Sequence, residues 1–181
     1  METPDRRVRR TRDALHRALI ELMMRRPYDR ITVSDVIARA DVGRSTFYAH
    51  YRDKDELLVV SCAEHLRKEI AHSTDRGPWA PVRVMLDLAA GYPEVYRPLV
   101  GPKASATALR GYRQSMATIL REHLAEQPGL PADELTVTMV SWALVGLLTA
   151  VADPSTPIPP GTAWRHFETT FARRVDRPGA D

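Results

Sequence analysis

The residues best suited to recognition chemistry in this 181-residue chain stand in one short run, Gly43-Arg44-Ser45-Thr46-Phe47-Tyr48-Ala49-His50-Tyr51. On a helix, Phe47 and Tyr51 point one way, into a core, and Arg44, Ser45, Thr46, Tyr48 and His50 are left on the other faces. That outward set is rich in hydrogen-bond donors and small near its start, so it fits a DNA major groove. Arginine reads guanine with two bonds, serine and threonine meet several base edges, and a threonine methyl touches thymine. Tyr48, His50 and Lys54 suit phosphate oxygens, which fix register without reading sequence. Lys54 also stands at the start of the next helix, where backbone amides and the helix dipole favour an anion.

Other chemistry has little support. The six histidines are His16, His50, His65, His72, His123 and His166. His65 and His72 share a helix face but lie about 10 Å apart by helical rise, too far for one metal ion. HExxH, GxSxG and glycine-rich phosphate loops do not occur in the sequence. The single cysteine, Cys62, falls in the apolar stripe Leu58, Cys62, Leu66, Ile70, which predicts an inert core thiol. One cysteine allows no intramolecular disulfide, and that fits a reducing cytoplasm. The expectation is a cytoplasmic protein that is not an enzyme and has neither cofactor nor metal.

Positioning these side chains requires helices, and nearly every segment between breakers reads as one; no period-two strand stands out. The first helix is expected over about Arg7–Arg25, ended by Pro27. Thr32 and Asp35 form a capping-box pattern for a second, short helix with Val33, Val36, Ile37 and Ala40 inside. Asp41-Val42-Gly43 make the turn, and the third helix follows over about Arg44–His50. Two short helices joined by three residues after a longer helix are the plan of a helix-turn-helix. Asp53 caps a fourth helix, with Glu56 as its box partner. Charge agrees with this division: residues 1–52 hold 12 Lys+Arg against 7 Asp+Glu, and the remainder 14 against 16. A basic end on a slightly acidic body points to a polyanionic partner for one part of the chain. The five arginines among the first twelve residues have two readings, a mobile arm on DNA or a solvated start.

The stretch Ile31-Thr32-Val33 through Ala40-Asp41-Val42-Gly43-Arg44-Ser45-Thr46-Phe47-Tyr48-Ala49-His50-Tyr51-Arg52-Asp53-Lys54-Asp55-Glu56-Leu57-Leu58 resembles the signature of the tetracycline-repressor (TetR) family. The likeness runs from Thr11 to Leu58, about a third of the chain. It implies an all-α homodimer, with residues 1–54 as the helix-turn-helix DNA-binding domain and 55–181 as the effector-binding and dimerisation domain. It further implies a sequence-specific transcriptional regulator of double-stranded operator DNA, by family default a repressor released by a small-molecule effector. Position by position, Arg44, Ser45 and Thr46 fall where such proteins touch bases, and Tyr48, His50 and Lys54 where they hold the backbone. Thr32 falls where a capping residue also meets phosphate. Asp41 replaces a common glycine in the turn, and Tyr51 replaces the usual phenylalanine.

Beyond residue 58 the likeness is limited to helix count, length and the run Tyr96-Arg97-Pro98-Leu99-Val100-Gly101-Pro102. About nine helices are expected in all. Met85, Tyr96, Leu99, Met116, Leu120, Met139 and Trp142 are candidates to line an apolar ligand cavity; each alone also suits a plain core. Leu135–Ala152 carries no charge over 18 residues, at the lower limit for a membrane span. Its polar residues and acidic flanks favour a helix buried in protein on most sides, with no membrane contact. Being apolar nearly all round, it needs a second burying surface. Ala143, Gly146 and Leu147, with Trp164, Phe167 and Phe171 of the last helix, are the expected dimer interface. The rival reading is a DNA-binding protein with no effector.

Overall fold

The computed structural model describes residues 4–127 and 133–172, which form nine α-helices and no strand. The chain divides into two compact units, Met1–Cys62 and Ala63–Asp181. The expected loop around Pro128–Pro131 and the end of the last helix at 173–175 lie outside the described residues.

In the first unit, α1 (Pro4–Met23) buries Leu15, Ala18, Leu19 and Met23 on one stripe. It begins three residues earlier than the apolar pattern indicated, so residues 4–12 are neither a mobile arm nor an unstructured start: they are helix. Thr3-Pro4-Asp5 is a helix-start pattern, with proline suited to the first turn and an acid favoured by the dipole. After Pro27 a 3₁₀ turn, Tyr28–Arg30, leads into α2 (Val33–Ala40). Val36 is fully buried, while Val33, Ile37 and Ala40 are half-buried. α3 (Arg44–His50) follows, then α4 (Lys54–His72), whose Leu57, Leu58, Cys62 and Leu66 are buried.

The second unit holds α5 (Ala80–Gly91), α6 (Pro93–Val100), α7 (Ala106–Ala125), α8 (Glu134–Val151) and α9 (Pro160–Phe167), which continues as a π-helical turn, Glu168–Ala172. Serine and aspartate caps start the two long helices: Ser105 Oγ accepts from the Ala108 amide at 3.0 Å and Asp133 Oδ1 from Thr136 at 2.9 Å. α8 packs on α5, α6 and α7, and α9 packs on α5 and α8. The run around Arg97 has a structural reason. Its guanidinium donates to the Ala152 carbonyl at 2.8 Å, closing the end of α8, and also to Glu94. A Cβ at Gly101 would stand 2.7 Å from the Arg97 carbonyl oxygen, so only glycine fits there.

Two expectations change here. α8 is long and apolar enough to cross a membrane by length and composition, and 33% of it is buried in one copy, as expected of an apolar helix that a single core cannot cover. Val137, Val140, Ser141, Leu144 and Leu148 face inward; Leu135, Met139, Trp142 and Gly146 face out. Met139 and Trp142, expected to line a cavity, are therefore 56% and 53% exposed, because helical periodicity sets them opposite the buried row. Phe167, expected at a dimer interface, is buried instead, its ring 5.2 Å from that of Trp79 and stacked with Trp164 and Phe171.

Candidate nucleic-acid interface

The site is built from the turn outward. Thr32 starts α2 with a complete capping box: its hydroxyl accepts from the Asp35 amide at 3.1 Å, and its own amide donates to the Asp35 carboxylate at 2.8 Å. The Thr32 hydroxyl and Arg26 also donate to that carboxylate, and these bonds lower its pKa from 3.8 to about 2. Arg39 pairs with Glu21, tying α2 to α1. At the far end Asp41 adopts φ 53°, ψ 51°, the left-handed conformation that glycine takes most readily. Gly43 has ordinary extended backbone, and a Cβ there would meet only Thr46 Oγ1 at 3.7 Å, an ordinary contact, so Asp41 alone makes the left-handed bend.

That bend launches α3 with Phe47 fully buried and Tyr51 3% exposed, the inward pair expected from the sequence. Arg44, Ser45 and Tyr48 are exposed, and Thr46 and His50 are half-buried. The Arg44 guanidinium carbon lies 5.5 Å from the Tyr48 ring centroid, a cation–π contact that holds both on the outer face. The Tyr51 hydroxyl is anchored rather than idle. It accepts from Arg12 Nε at 3.3 Å and lies 2.7 Å from His16 Nε2, to which it donates when that nitrogen is unprotonated. The added oxygen therefore fastens the end of α3 to α1.

Lys54 has a structural task that sequence reasoning missed. Its Nζ donates to the carbonyls of Tyr28 and Ile31 at 2.8 and 2.9 Å and lies 4.2 Å from the Tyr28 ring centroid. The Tyr28 hydroxyl in turn donates to Asp55 at 2.6 Å, and burial together with this bond raises its pKa. Lysine carries three donors, so one remains for a phosphate. No spacing rule links Tyr28 to Lys54; only the fold brings them together. Asp53 caps α4 through the Glu56 amide at 2.8 Å, but the Glu56 carboxylate accepts from the Arg52 amide at 2.6 Å rather than from Asp53. The expected box is thus shifted by one residue.

Among the other candidates, Met85, Tyr96, Leu99, Met116 and Leu120 are buried in the second unit. Ala143, Leu147, Trp164 and Phe171 are half-buried and Gly146 is exposed. Cys62 is 4% exposed, and burial pushes its thiol up to about 12, so it stays protonated and unreactive at neutral pH. No group of three or more potential metal ligands occurs among the described residues.

A buried aromatic pair under an outward donor face, set by a capped helix and a left-handed turn, defines a helix-turn-helix of the kind that enters DNA grooves. Residues 15–60 match the profile "Bacterial regulatory proteins, tetR family". The chain is 45% identical over 65 residues to the uncharacterised HTH-type transcriptional regulator YxbF of Bacillus subtilis (strain 168). That match covers 33% of this chain and 17% of the relative. The fold is similar to that of a TetR transcriptional regulator from Streptococcus agalactiae 2603V, with TM-score 0.60 at 22% identity over 91% of this chain and 95% of the other. It is also similar to the dihydroxyacetone kinase operon activator DhaS, with TM-score 0.61 at 15% identity over 92% and 96%. Residues 15–60 thus carry the helix-turn-helix of the tetR family of bacterial regulatory proteins, and the chain as a whole shares the fold of the TetR regulator from Streptococcus agalactiae.

Proposed function

We propose that the protein is a cytoplasmic, homodimeric repressor that holds double-stranded operator DNA through residues 1–54 and releases it when a small molecule enters the region 55–181. The observation that carries the DNA part is the outward face of α3, with Arg44 and Tyr48 exposed beside Ser45 over a fully buried Phe47. In this reading Arg44, Ser45 and Thr46 touch bases, and Thr32, Tyr48, His50 and Lys54 hold phosphates. Dimerisation is supported by the apolar outer row of α8, Leu135, Met139, Trp142 and Gly146, which water would otherwise wet. Ala143, Leu147, Trp164 and Phe171 border the same interface in this proposal.

Effector binding rests on the family and on the buried Met85, Tyr96, Leu99, Met116 and Leu120, where two unbranched methionines can move aside for a ligand. A ligand shifts the protein between two states only by its difference in affinity for them. Repression is the family default, and DhaS, of similar fold, is described as an activator. Transcription in vitro from a bound promoter separates the two.

Selection of bound duplexes from a random pool tests the core of the proposal. The recovered motif is expected to be a near-palindrome with half-site centres about 34–36 Å apart, or a multiple of that. A pool that shows no enrichment, or a motif with no two-fold relation, overturns it.

A further inference from the structure

We draw no further inference here: the strongest candidate, the groove of the second unit that Pro93 and Arg97 of α6 form with Pro157 and Ile158 of the proline-rich loop joining α8 to α9, carries nothing, because nothing in the structure shows what covers it.

Discussion

At the residue scale the candidate site divides into side chains that read and side chains that brace. Arg44 is a reader. It is exposed at the start of α3 and oriented by Tyr48. Arg44→Ala is expected to relax base preference at one operator position, at a cost of about 1–3 kcal/mol. Selection profiles of parent and variant check this, and a uniform loss over all sequences contradicts the role. Lys54 is a brace that in the proposal also holds a phosphate. Lys54→Ala removes two bonds to backbone carbonyls and a cation–π contact, so a loss of about 1–3 kcal/mol in urea unfolding is expected. It is also expected to lower the salt slope by about one per half-site. Stability loss with an unchanged slope makes Lys54 a brace only. Tyr51 is a brace alone. Tyr51→Phe removes the oxygen shared by Arg12 and His16 but keeps the buried ring. Stability is expected to fall by about 0.5–1.5 kcal/mol, with base preference unchanged in the selection assay.

At the element scale, what matters is how firmly α2 aims α3. The Thr32–Asp35 box fixes one end of α2 and the left-handed Asp41 the other. Asp35 ties the stability of the capped α2 to pH. Its carboxyl has a pKa of about 2 in the folded chain against an ordinary 3.8, so the folded state holds the ionised form. A depressed pKa contributes stability that is present above 3.8 and is lost as pH falls toward 2. Thermal melts over that range are expected to show the parent losing more stability than Asp35→Asn, which has no carboxylate to protonate. Equal pH slopes in the two proteins remove Asp35 as a source of acid sensitivity.

At the scale of the whole molecule, the proposed dimer rests on a surface that one copy leaves wet. Leu135, Met139 and Trp142 stand at i, i+4 and i+7 on α8, each more than half exposed, and the Arg113 guanidinium carbon lies 4.9 Å from the Trp142 ring centroid. On an ordinary surface a substitution there costs within about 0.5 kcal/mol and leaves assembly alone. If the row is the dimer seam, Met139→Glu buries an unpaired charge and splits the pair. Sedimentation is expected to show a parent dimer and a variant monomer that has lost affinity for a two-half-site duplex. A variant that still sediments as a dimer moves the seam elsewhere.

Much of this was legible in residue order because local rules suffice for it. Caps at Thr32 and Asp53, the inward pair Phe47 and Tyr51, and the outward donors of α3 all follow from helical period and side-chain type. The start of α1 was legible too, in Thr3-Pro4-Asp5, but the apolar stripe used to place the helix begins only at Leu15.

Sequence by itself determined that the chain is helical, where its first unit turns, and which face of α3 looks out. These are decided within a few residues, by hydrogen bonds and periodicity. Tertiary structure alone decided that Lys54 grips the carbonyls of Tyr28 and Ile31 and that Tyr51 meets His16. It also decided which half of the apolar α8 stays outside, placing Met139 and Trp142 at the surface and Phe167 in the core. The physical reason is range. Contacts between residues more than twenty apart depend on how helices pack, and composition at either end carries no trace of the partner that packing selects.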